Sequence, residues 1–161
     1  MTYTSFDKIS TPALKLTTGD DTFTVTGSGK GSTGGVDYLG LSTVDTADGA
    51  DAVVLTAGAE ALVYGAGGAV TAAGITFSQV ESVDGGGGAD SLTLTSGKDE
   101  ITASGTLQFS VGGVGFANVA TVAAGSGTDT LTLTPANTTI TVNGSQSPTV
   151  LGVAYTGLDA I

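Results

Sequence analysis

The chain has no cysteine, tryptophan, histidine or arginine, and only three prolines in 161 residues. Without cysteine, disulfide staples, thiolate metal sites and thiol nucleophiles are closed to it. Without histidine it lacks the side chain best suited to moving protons near neutral pH. Its basic residues are Lys8, Lys15, Lys30 and Lys98 against 15 acids, a net charge of −11. Such a surface cannot replace the counterions condensed on phosphates, so nucleic acid and anionic membrane are poor partners and cations are better ones. The adjacent acids Asp20–Asp21 and Asp99–Glu100 would face opposite sides of a strand and could not act together as acid and base. The chain reads as non-enzymatic. No apolar run reaches membrane-spanning length, so no membrane insertion is expected. Residues 1–8 show no basic segment followed by an apolar one, so no cleavable export signal is read there.

Aromatics make up 6% of the chain, which predicts a core of Val, Leu, Ile and Ala in thin layers. What is abundant is glycine, at 27 residues, and threonine, at 28. Threonine favours strands and glycine favours turns, so the composition predicts an all-β chain with many tight bends. No stretch carries a helical apolar face free of glycine.

The clearest unit is Asp84-Gly85-Gly86-Gly87-Gly88-Ala89-Asp90-Ser91-Leu92-Thr93-Leu94-Thr95, a glycine turn, a carboxylate and then a strand-like alternation. Related stretches lie 39 residues away on either side, at Asp48–Thr56 and Gly125–Thr134. A period of 39 divides the single domain 1–161 into a partial unit, 1–9, and four full ones, roughly 10–48, 49–87, 88–126 and 127–161. Apolar columns agree throughout: Leu14, Val53, Leu92 and Leu131; Phe23, Leu62, Ile101 and Ile140; Tyr38, Phe77, Phe116 and Tyr155. Gly35, Gly74, Gly113 and Gly152 mark a recurrent bend. Each unit closes on aromatic-x-x-aliphatic-x-x-aliphatic, read as a short strand, a bend and another short strand, and Tyr3, Phe6 and Ile9 open the chain with the same motif. The first half of a unit also beats at nine, as in Gly88-Ala89-Asp90-Ser91-Leu92 followed by Gly97-Lys98-Asp99-Glu100-Ile101.

The expected fold is a β-solenoid, β-helix or β-roll in type, in which residues 39 apart stack along the axis and each unit forms two coils of about 19–20 residues. A β-sandwich is the competing architecture, since short, evenly spaced strands also suggest it. Stacking would create two acidic columns, Asp51/Asp90/Asp129 and Asp21/Glu60/Asp99. Like charges one rung apart repel unless exposed to water, tied into Asx-turns, or bridged by a hard cation such as calcium. With Asp84, these aspartates are the candidate metal ligands. Thr17, Thr56, Thr95 and Thr134 would form a surface threonine array, either an ordinary solvent-facing ladder or an ice-binding face like that of some solenoid antifreeze proteins.

Gly85-Gly86-Gly87-Gly88-Ala89-Asp90-Ser91-Leu92-Thr93 resembles the nonapeptide of RTX (haemolysin-type) secreted proteins, and the resemblance implies calcium held between successive turns. Gly125-x-Gly127-x-Asp129-x-Leu131 matches in part, and each unit holds two copies at most. The whole unit, with phrases such as Phe77-Ser78-Gln79-Val80-Glu81-Ser82-Val83-Asp84-Gly85-Gly86, is similar to repeats of large secreted bacterial adhesins and surface-layer or matrix proteins. That resemblance implies an extracellular or cell-surface structural protein, exported by type I secretion with an uncleaved carboxy-terminal signal. Similar first and last elements predict head-to-tail self-association through open strand edges.

Overall fold

A computed structural model describes residues 8–134, 140–142 and 147–161. Tyr3 and Phe6 of the opening motif lie outside the described residues. The chain is a β-solenoid of about 5 turns, built from two ten-stranded sheets, I and II, that enclose one core. The route begins with β1 (Lys8–Ser10) in sheet I and β2 (Ala13–Lys15) in sheet II. Three strands follow in sheet I, β3 (Thr22–Gly27), β4 (Lys30–Thr33) and β5 (Val36–Leu39). β6 (Thr43–Asp45) returns to sheet II, and β7 (Ala52–Val54) crosses to sheet I. Now sheet II takes the triple set, β8 (Ala61–Tyr64), β9 (Val70–Ala72) and β10 (Ile75–Ser78). β11 (Ser82–Asp84) lies in sheet I and β12 (Asp90–Thr93) in sheet II. The pattern then repeats with β13 (Glu100–Gly105), β14 (Gln108–Val111) and β15 (Val114–Ala117) in sheet I, β16 (Val119–Ala123) in sheet II and β17 (Thr130–Leu133) in sheet I. β18 (Ile140–Val142), β19 (Pro148–Val150) and β20 (Val153–Thr156) close the described strands in sheet II.

Within each triple set the strands are antiparallel; every crossing strand pairs in parallel with its neighbours. Parallel pairing is what rules out an ordinary hairpin sandwich. The second turn of each triple set is a two-residue loop whose residues both have positive φ, such as Ala73 (51°) and Gly74 (75°), or Gly112 (56°) and Gly113 (92°). Two positive φ values match the right-handed twist of hairpin strands, which is why glycine recurs there. The closing motif behaves as expected: Phe77 sits in β10, the chain bends, and Val83 lies in β11 of the other sheet.

The stacking period differs from the expected one. Val53 pairs with Phe23 and Val83, and Leu92 with Leu62 and Val122, each 30 residues away. Where a crossing strand meets the last strand of the triple set that follows it, the step becomes 33, as between Val44 and Phe77, Val83 and Phe116, and Val122 and Tyr155, and it is 29 between Ile9 and Tyr38. Residues 39 apart therefore never share a rung: Leu14 and Leu92 lie in sheet II, Val53 and Leu131 in sheet I. The unit is one stacking step plus a nine-residue crossing, so successive units swap sheets. Neither one coil of 39 nor two of 19–20 describes it.

The apolar columns do face inward. Val53, Leu92, Leu131, Leu62 and Ile101 are buried. The six buried aromatics take a larger share of the core than their abundance suggests. Phe109 stacks on Phe116 with ring centroids 5.3 Å apart, and Phe23 meets Phe77 at 5.6 Å. Tyr64 and Tyr155 join the same cluster. Phe23 lies across Gly31 of the adjacent strand, where any β-carbon would strike the ring. One short 3-10 turn, Ala66–Gly68, is the helical content of the described residues, and no helix there is long and apolar enough to cross a membrane.

Candidate metal centre

The crossings between sheets are glycine turns, and the acids stand where each turn enters its strand. Asp51 precedes β7, Asp90 opens β12 and Asp129 precedes β17; all three are 0% exposed. A strand's first inward position puts the side chain beneath the turn of the neighbouring rung. The Asp21 N–H donates to Asp51 Oδ1 at 2.8 Å, the Glu60 N–H to Asp90 Oδ1 at 2.7 Å and the Asp99 N–H to Asp129 Oδ1 at 2.9 Å. The pattern continues outward, with the Asp51 N–H on Glu81 Oε2 and the Asp129 N–H on Asp159 Oδ2, both at 2.8 Å. Each step is 30 residues.

The acidic columns are thus Asp21–Asp51–Glu81, Glu60–Asp90 and Asp99–Asp129–Asp159, not the two columns expected at a spacing of 39. The first and third line the edge where the chain passes from sheet II to sheet I, and the second lines the opposite edge. Glu81 and Asp159 escaped the sequence reading. Their signal is a spacing of 30 between acids, which the stronger period of 39 hides.

The threonines of the expected array do not form a ladder either. Thr17 and Thr95 leave sheet II, Thr56 and Thr134 leave sheet I. Three of them hold an acid four residues on. The Thr17 hydroxyl donates to Asp21 at 2.7 Å, the Thr95 hydroxyl to Asp99 at 3.3 Å, and the Thr56 hydroxyl to Glu60. Each also accepts the N–H of the intervening glycine, Gly19, Gly58 or Gly97. The recurring phrase Thr-x-Gly-x-acid is therefore a local clamp that orients the acid. Thr134 instead donates to the Ala103 carbonyl at 3.0 Å.

Asp84 is committed elsewhere. Its Oδ1 accepts the Gly86 N–H at 2.9 Å and the Asn118 side-chain amide at 2.7 Å, closing an Asx-turn onto the next rung. Asp45 does the same with Ala47 and Gln79, and Lys15 beside it holds its carboxyl below the ordinary range.

Among the described residues, the buried side-chain oxygens without a partner are Asp51 Oδ2, Glu60 Oε2, Asp90 Oδ2, Asp129 Oδ2 and the Tyr155 hydroxyl. Four of the five belong to the ladders. Burial raises the Asp90 carboxyl; the Glu60 N–H pulls part of the way back, and the Glu60 carboxyl adds to the rise. Burial also raises Asp99, against the Thr95 hydroxyl, and the Asp129 charge adds to it. These are the conditions in which a charged carboxylate is costly unless compensated.

Backbone oxygens gather at the same turns. A β-carbon on Gly85 would lie 2.7 Å from Asp90 Oδ2 and 2.8 Å from the Asn118 carbonyl oxygen, so two oxygens converge above that glycine. Gly86, at φ +78°, passes close over the Leu55 and Thr56 carbonyls of the turn beneath, an approach open only to glycine. Carboxylate and carbonyl oxygens are a hard donor set of the kind calcium takes. No three carboxylates converge among the described residues, so each site would combine one or two carboxylates with backbone carbonyls. Comparison with protein families, curated proteins and solved structures finds no match for this chain.

Proposed function

We propose that the chain is a secreted structural protein, a self-associating solenoid of a surface layer, matrix fibre or adhesin stalk, with no catalytic role. One observation carries the reading. β1 meets β5 in the register in which β11 meets β15, Ile9 opposite Tyr38 as Val83 is opposite Phe116. A strand at the edge of sheet I thus repeats a strand from its interior. At the far edge Ala160 bridges Thr130 and accepts the Leu131 N–H at 3.0 Å, again in the internal pattern. Edges that reproduce interior rungs are templates for another copy, and a heterologous contact of this kind extends without closing. The extracellular setting and type I export rest on the similarity of the repeat to secreted surface proteins. Electron microscopy of the purified chain at rising concentration should show filaments with the solenoid axis along their length. Monodisperse particles at every concentration, with and without calcium, would end this reading.

A second reading is favoured by the unpartnered oxygens of Asp51, Asp90 and Asp129. They support a calcium-dependent module, with Asp21, Asp99 and the turn carbonyls completing the shells and Asp84 holding the turn. Circular dichroism and calorimetric titration in chelator and then in calcium test it. Heat of binding with a rise in thermal stability is expected; an indifferent chain rejects the ion.

A further inference from the structure

Because units alternate between sheets, the repeat makes the two outer faces equivalent position by position. Val54 on sheet I corresponds to Thr93 on sheet II, and Ser82 to Thr121, 39 residues apart. Charge is nevertheless sorted between them. Among the described residues, Lys8, Lys30, Asp37, Asp84 and Glu100 lie on the outward side of sheet I strands. The charges on the outward side of sheet II, among the described residues, are Lys15 and Asp45, paired with each other at 2.5 Å at one end. Beyond that pair one uncharged row runs from Thr43 through Thr76, Thr71, Val63 and Thr93 to Ala123. A second runs beside it through Ala61, Ser91, Thr121 and Ala154. Val63, near the middle, is 48% exposed.

We propose that the outer face of sheet II is where two copies of this chain lie side by side. The proposal rests on the self-associating reading above and adds a lateral contact to the end-to-end one. A net charge of −11 makes copies repel in most orientations. This face lets them meet without desolvating a charge. Its side chains are small, so two sheets can approach to about 10 Å. Threonine hydroxyls both donate and accept, so they can pair across the contact, as Thr71 and Thr76 already do within it at 3.0 Å. Six strands in the first row and four in the second, about 4.8 Å apart with about 7 Å between rows, give a patch of roughly 350 Å² per copy. The two patches together fall short of the total of about 1,000 Å² that is the lower end for a specific contact. A single pair is therefore weak, and end-to-end filaments multiply it.

The test uses the whole chain in sedimentation velocity and electron microscopy, with Thr93→Lys/Thr121→Lys on sheet II and the repeat-equivalent Val54→Lys/Ser82→Lys on sheet I. Added lysines lower the net charge and by themselves favour association. The expected result is nonetheless that the sheet II pair weakens side-by-side association by about tenfold or more, while the sheet I pair keeps it. Circular dichroism checks folding, and Thr93→Glu gives the same test with the opposite charge. Wild-type chains that stay single at all concentrations, only single-width filaments, or equal losses from both lysine pairs would overturn the proposal. So would ice shaping by the wild type that Thr93→Lys removes without any contact between copies. Failure of the end-to-end joint has a separate signature, paired particles one chain long.

Discussion

Asp90→Asn tests the ladder most directly. Asparagine keeps an oxygen for the Glu60 N–H, now 2.7 Å from Asp90 Oδ1, and replaces the unpartnered Oδ2 with a neutral amide. An unsatisfied buried group costs about 1–3 kcal/mol, more when charged, whereas weakening one charge-assisted hydrogen bond to a neutral one costs about 1 kcal/mol. The raised Asp90 carboxyl has Glu60 as its acidic neighbour, so removing one charge also relieves repulsion. In chelator the variant should be more stable than wild type by about 1–2 kcal/mol, or roughly 2–8 °C at this chain length. In calcium the order should reverse. A ligand at a hundred times its dissociation constant stabilises its site by about 2.7 kcal/mol, and the variant loses most of that. Urea and thermal unfolding followed by circular dichroism, each in chelator and in calcium, give the four values. A variant less stable than wild type in chelator would mean that the carboxylate is already satisfied, and the reasoning about its orphaned oxygen would fall.

In chelator, stability should decline as pH rises from about 4, the ordinary carboxylate range, toward neutrality. Asp90 and Asp99 hold their protons to higher pH when folded, so the native state binds more protons in that window and loses stability as pH rises through it. Thermal melts that are flat or rise over the interval contradict this. Thr95→Val removes the hydroxyl that orients Asp99 and should cost about 1 kcal/mol in urea unfolding, with weaker calcium binding if the ladder takes the ion. Two glycines separate clash from strain. Gly31→Ala drives a β-carbon into Phe23 and to 2.8 Å from the Thr24 carbonyl, and should cost about 1–3 kcal/mol. Gly113→Ala meets nothing within 4 Å but sits at φ +92°, so about 1–2 kcal/mol of backbone strain is expected. Equal indifference to both would mean that the hairpins are not packed as described.

The all-β solenoid was legible because its signals are local. Alternation at Ser91-Leu92-Thr93, glycines at the hairpin bends and the nine-residue beat of acids are properties of a few adjacent residues. The inward positions Val53, Leu62, Leu92, Ile101 and Leu131 followed from that alternation and are buried. Asp51, Asp90 and Asp129 were singled out by their place after a glycine turn, and that place is what buries them.

Which rung lies on which was decided by the tertiary structure. A period in sequence records where equivalent conformations recur; a stacking step records how far the chain travels before it returns to the same edge of the same sheet. Triple sets that fold back within one sheet separate the two quantities, leaving a sequence period of 39 over a stacking step of 30. That nine-residue difference moves each unit to the opposite sheet, breaks up the threonine array, and brings Glu81 and Asp159 beneath Asp51 and Asp129. It also sorts charge onto sheet I and leaves sheet II nearly bare, because a side chain's face depends on which sheet its strand joins, and strand pairing between distant residues makes that choice.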